Sequence, residues 1–178
     1  ISQISYGFKP GMNRIVTYIR NDLRLIFRDP ILYVMLFVPI IFIGLLRWGL
    51  PMLIPVFPGL EPFSSLILAT LCLVTSMFPA FIYSFIILDE KDQDVVTAIR
   101  VLPISTMDFI LIRLLLISLL SYGFIVLIIS VSGILNWPAW KLFLVPLPLS
   151  LIAPVTCLFI TGFARNKIEG ATWMKGLN

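Results

Sequence analysis

Four stretches of this chain, at about 31–50, 64–88, 108–134 and 141–163, are almost wholly apolar and run for about twenty residues or more. A helix of about 20 residues crosses the ~30 Å hydrocarbon core of a bilayer. Composition agrees: 60% of the residues are hydrophobic and 12% are charged, against near a quarter charged in soluble domains. The fold class expected is therefore all-α integral membrane, a polytopic helical bundle of four spans over 31–163.

The connections differ in kind. Pro51, Pro55, Pro58 and Pro62 make the first link irregular, while the last two spans are joined by the short turn Asn136-Trp137-Pro138-Ala139-Trp140. Trp48, Trp137 and Trp140 fall where interfacial aromatics belong. Of the 13 Lys and Arg, only Arg47 and Lys141 lie on the side of those tryptophans. The excess marks the cytoplasmic side, so both ends and the 89–107 loop are expected there.

Residues 12–29, ahead of the first span, form a different element. At helical spacing Met12, Ile15, Val16, Ile19, Leu23, Ile26 and Phe27 share a face, and Arg14, Arg20, Arg24 and Arg28 share the opposite one. That pattern fits an amphipathic helix lying in the membrane plane, with the four arginines touching lipid phosphate. A soluble helix packed on another domain has the same pattern. Asp29-Pro30 supplies a cap and a first-turn proline for the span that follows. Residues 1–11 read as a tail or as sequence added ahead of Met12. Residues 164–178 read as a cytoplasmic segment leading to a fifth span that the chain does not reach.

Several functions find no residues to carry them. The sequence has no His, so the commonest general base and metal ligand is missing. Cys72 and Cys157 each sit within an apolar run, as inert buried thiols do. No catalytic residue, metal ligand or cofactor is expected, and nucleic acid is not an expected partner. Arg113, about a turn inside the third span, can snorkel to the surface. Thr70, Thr75, Ser76, Ser118 and Ser121 read as helix–helix contacts. Prolines 39, 79, 146, 148 and 154 predict kinks, which either line a cavity or simply shape the packing. No phosphate-binding loop of the form G-x-x-x-x-G-K-[ST] occurs, so energy for any transport must come from another chain.

An external motor needs a handle, and 89–107 offers one. Asp89, Glu90, Asp92 and Asp94 suit the acidic first turn of a helix. Val95, Val96, Ile99 and Leu102 give that helix an apolar side, with Arg100 in its last turn and Pro103 as its stop. The same residues fit a solvated loop that merely reverses the chain.

Three segments resemble a known family, the type-2 ABC exporter permeases, and within it bacterial drug-export permeases. They are the amphipathic helix ending in Phe27-Arg28-Asp29-Pro30, the segment DEKDQDVVTAIRVLPIS at 89–105, and ARNKIEGATWMKGL at 164–177. The resemblance implies that Asp89, Glu90, Lys91, Asp92, Asp94, Val96, Thr97, Ile99, Arg100, Leu102 and Pro103 form the helix coupled to an ATPase. It implies as partners an ABC ATPase subunit in two copies, a second permease subunit and membrane lipid. The family's usual Gly before Thr97 is Val96 here, and its members have six spans. The function this implies is ATP-driven export across a bacterial cytoplasmic membrane, and the scarcity of charge within the spans favours a lipophilic or amphipathic molecule as the cargo. A non-transporting anchor or regulator on the same scaffold is the alternative.

Overall fold

A computed structural model describes residues 12–92, 106–134 and 137–177. Helix α1 (Met12–Arg28) leads into α2 (Pro30–Gly44). A residue before proline is pushed out of the helical region, and Asp29 is extended (φ −96°, ψ 114°), which breaks α1 from α2. The side chain of Asp29 then accepts from the Ile31 N–H at 2.9 Å and caps α2. The first membrane-crossing stretch, Pro30–Leu53, includes a π-helical turn at Leu45–Gly49 and the short helix α3 (Leu50–Leu53). That turn ends just before Pro51, whose missing N–H interrupts the regular ladder.

A 3-10 turn (Pro58–Phe63) feeds α4 (Ser64–Asp92), and α5 (Thr106–Ser132) follows. Gly133 then takes φ +68°, a left-handed conformation that favours glycine at a helix end. The fourth stretch, Ala139–Phe163, is broken by its prolines into α6 (Ala139–Leu144), α7 (Pro146–Ser150) and α8 (Ile152–Phe163). Helix α9 (Lys167–Leu177) completes the described chain. This helix occupies 167–177, which the sequence presented as a linking segment.

Four of these stretches are long and apolar enough to cross a membrane. The chain is an all-α membrane bundle, as its apolar runs predicted. Its centre is α4, which is 67% buried over its most apolar window, against 17–28% for the other three. Pro79 through Ile86 is buried without interruption, as befits a helix that is apolar all round. One core gathers Ile82, Ile86, Leu88, Ile117 and Ile160 toward the Lys/Arg-rich end, and a second gathers Leu46, Leu68, Ile125 and Ile128 toward the other. Trp48 and Trp140 are exposed at that second end.

The hydroxyls expected to join helices mostly turn back on their own. Thr70 donates to Leu66 O at 2.9 Å, Ser76 to Leu73 O at 2.7 Å and Ser118 to Leu114 O at 2.9 Å. In apolar surroundings the nearest acceptor is a carbonyl of the preceding turn. Thr75 and Ser121 are fully buried inside the bundle.

Candidate functional site

The polar side chains gather at the end of the bundle where α1 meets α2. The expectation that Asp89–Asp92 open a new helix is corrected here: they continue α4, which runs unbroken from Ser64 to Asp92. A charged run marks where a chain leaves hydrocarbon, and nothing obliges the helix to stop there.

Arg113 is corrected as well. It is 3% exposed and points inward rather than snorkelling out. Its two terminal nitrogens donate to Glu90, Nη1 to Oε2 at 2.5 Å and Nη2 to Oε1 at 2.6 Å. Nη2 also donates to Asp22 Oδ1 at 3.0 Å. Asp22 is 2% exposed and the Glu90 side chain 15% exposed. A guanidinium matches a carboxylate in this forked geometry and keeps its charge when buried. One cation thereby pins α5 to α4 and to α1. Burial pushes the Asp22 carboxyl above the usual carboxylate range, and Glu90 adds to the rise, while Arg113 opposes it.

Sequence reasoning missed Asp22. The available signal was an acid one turn before Ile26 on the inward side of an amphipathic helix, together with a lone arginine inside a span. Each is costly alone, and they offset each other when paired. The apolar face of α1 is accordingly divided. Ile26 joins the core with Leu32 and Ile86, while Leu23 and Phe27 remain 45% and 59% exposed. Arg20, Arg24 and Arg28 are exposed on α1; the Arg14 side chain lies outside the described residues.

Further contacts tie the remaining helices to this end. Lys91 Nζ donates to Thr161 O in the last turn of α8, where a cation suits the helix dipole. Asp92 Oδ2 accepts from the Lys167 N–H at 3.3 Å at the start of α9. Asn166 caps α9 by accepting from the Glu169 N–H at 2.8 Å, and Glu169 accepts in return from the Arg165 N–H at 2.9 Å. Lys167 Nζ reaches Asp29 Oδ2 at 2.8 Å, which holds the Asp29 carboxyl below the usual range.

Of the residues expected to couple to a motor, the structure brings Glu90, Lys91 and Asp92 into this network, and Asp89 lies beside it on α4. Asp94, Val96, Thr97, Ile99, Arg100, Leu102 and Pro103 lie outside the described residues. These contacts link the charged ends of α1, α4, α5, α8 and α9 to one another.

An α-helical bundle with four membrane-crossing stretches, its polar contacts collected at one end, is a multi-pass integral membrane protein. Residues 22–178 match the family described as Rv2686c-like fluoroquinolones export permease protein, and the chain belongs to that family. Two curated relatives are 31% identical to it over 179 aligned residues. They are the fluoroquinolones export permease proteins MT2760 and Rv2686c, from the CDC 1551/Oshkosh and H37Rv strains of Mycobacterium tuberculosis. The alignments cover 94% of this chain and 69% of each relative. No solved structure matches the chain. The family bears out the resemblance to export permeases drawn from the three sequence segments.

Proposed function

We propose that this chain is the membrane subunit of an ATP-driven exporter that moves an amphipathic drug, of the fluoroquinolone type named for its relatives, out across a bacterial cytoplasmic membrane. It works with a separate ATPase in two copies and with a second permease subunit. Both described ends face the cytoplasm, in accord with the excess of Lys and Arg on that side.

One observation carries the reading. The buried cluster of Asp22, Arg113 and Glu90 joins three helices, and two of its members lie on the helices that flank the 93–105 segment in sequence. A force applied to that segment by a nucleotide-binding partner passes through Glu90 and Arg113 into α5 and α1 together. Two states of such a rigid end, biased by ATP in the partner, suffice to alternate access.

The test is copurification of the full-length permease from native membranes, paired with drug accumulation in intact cells. An ATPase should come down with the permease, and inactivating that ATPase should abolish the permease-dependent fall in fluoroquinolone accumulation. If no nucleotide-binding protein associates and accumulation is unmoved by the permease, the anchor or regulator reading replaces this one.

A further inference from the structure

We propose that the cleft between the α1–α2 junction and α4 binds a zwitterionic amphiphile, a molecule whose apolar body carries one cation and one anion. The choice of a drug-like ligand rests on the export function proposed above; the site itself rests on its geometry.

The cleft has a volume of about 430 Å³, within the roughly 300–1,000 Å³ that suits drug-sized ligands. Leu32, Phe85 and Ile86 lie at its base, beneath a lining that is otherwise mostly polar. Its rim carries both signs: Arg28 and Lys167 beside Asp29 and Asp89. Lys167 Nζ lies 2.8 Å from Asp29 Oδ2 and 5.8 Å from the centre of the Phe85 ring.

This balance selects among ligand classes. An anion alone meets two rim carboxylates, and a cation alone meets two rim cations. A zwitterion exchanges partners across the Lys167–Asp29 pair, setting its anion on Lys167 beside Arg28 and its cation on Asp29. The pair it disturbs is weak. Lys167 and Asp29 have side chains 33% and 25% exposed, and partly exposed ion pairs contribute little. The cleft opens where α1 gives way to the first membrane-crossing helix, the level at which an amphiphile from the inner leaflet would arrive.

Zwitterions of this kind come from two sources, drugs and lipid headgroups. A fluoroquinolone, which carries a carboxylate and a basic amine on a fluorescent ring, serves as the probe. Its binding is read by anisotropy on the full-length permease in phosphatidylglycerol nanodiscs. Two controls are its ester, which lacks the anion, and its N-acyl derivative, which lacks the cation. We expect the zwitterion to bind and each control to bind about tenfold more weakly or worse, the loss of one charge-assisted contact. Asp29→Asn, which keeps the cap of α2, and Lys167→Gln should each weaken the zwitterion to a similar degree. Lys167→Arg should retain binding.

Adding phosphatidylethanolamine to the discs separates the sources. Displacement of the probe from the wild-type permease assigns the cleft to a lipid headgroup, and undisturbed binding assigns it to the drug. Both outcomes uphold a zwitterion site. The proposal is overturned if the probe fails to bind in ethanolamine-free discs, if the controls bind as well as the zwitterion, or if Asp29→Asn and Lys167→Gln leave binding unchanged. No ATPase enters the assay, so a failed ATPase association leaves this result standing, and failed binding here leaves the coupling reading intact.

Discussion

Arg113 is one guanidinium shared by two carboxylates, so replacing it and replacing its partners should have unequal effects. Arg113→Leu leaves Asp22 and Glu90 facing each other with no cation between them. Breaking a buried pair in this way costs about 3–5 kcal/mol, and we expect a large fall in the melting temperature of the purified permease. Asp22→Asn keeps an oxygen for Arg113 Nη2 and removes a charge whose burial is unfavourable, so its melting temperature should equal or exceed that of the wild type. A fall after Asp22→Asn comparable to that after Arg113→Leu would show that the Asp22 charge is needed. The sign with pH follows from the same environment. Burial raises the Asp22 carboxyl, so the folded state keeps that proton to higher pH than the unfolded chain. The Asp22 contribution is therefore fully present below the ordinary carboxylate value of about 4, and it declines as pH rises from there through the raised value. Asp29 has the opposite sign. Its carboxyl is lowered by the Lys167 hydrogen bond, and its contribution is lost as pH falls through that lowered value. Melting curves against pH for Asp22→Asn and Asp29→Asn should thus diverge from the wild type in opposite directions.

At the level of elements, α9 is held to the bundle by shape. A Cβ on Gly170 would run into Leu88 Cδ1, and Leu88 is fully buried. Gly170→Ala should force α9 outward at a cost of about 1–3 kcal/mol, the usual range for overpacking. A Cβ on Gly176, in the same helix, meets open space, and Gly176→Ala should be neutral or gain up to ~1 kcal/mol. Limited trypsin digestion after Arg165 and Lys167 reads the difference: faster cutting is expected in Gly170→Ala alone. Equal cutting in both variants would mean that α9 is not seated against Leu88. Trp173 completes the seat by meeting Phe159 nearly edge-on, with ring centres 5.8 Å apart. This docking was not legible in the sequence, because 167–177 mixes charged, apolar and glycine residues with no dominant face. The four membrane-crossing helices were legible, since each apolar run needs no partner to declare itself. The break at Asp29-Pro30 was legible for the same local reason. The continuation of α4 through Asp89–Asp92 was hidden because charges signal the membrane boundary and say little about the helix. The pairing of Asp22 with Arg113 joins residues 91 positions apart, and no local pattern reports a contact at that distance.

For the molecule as a whole, the distribution of charge sets an orientation that the structure makes testable. Arg47 and Lys141 belong to the end with the exposed Trp48 and Trp140, and Lys141 lies 5.3 Å from the Trp140 ring centre. Arg20, Arg24, Arg28, Lys91 and Lys167 belong to the opposite end with the buried ion cluster. The second end should face the cytoplasm, because loops rich in Lys and Arg resist translocation. Gly59 and Gly176 are suitable reporters: they lie at opposite ends, and a Cβ on either meets nothing within 4 Å. Cysteine placed at each should leave the fold intact. The native Cys72 and Cys157 are buried, which keeps the background low. In intact cells a membrane-impermeant maleimide should label Gly59→Cys and spare Gly176→Cys, and permeabilisation should make the two equal. The reverse pattern would place the ion cluster and the 93–105 segment outside the cell, beyond the reach of ATP, and would remove the physical basis for coupling to a cytoplasmic motor.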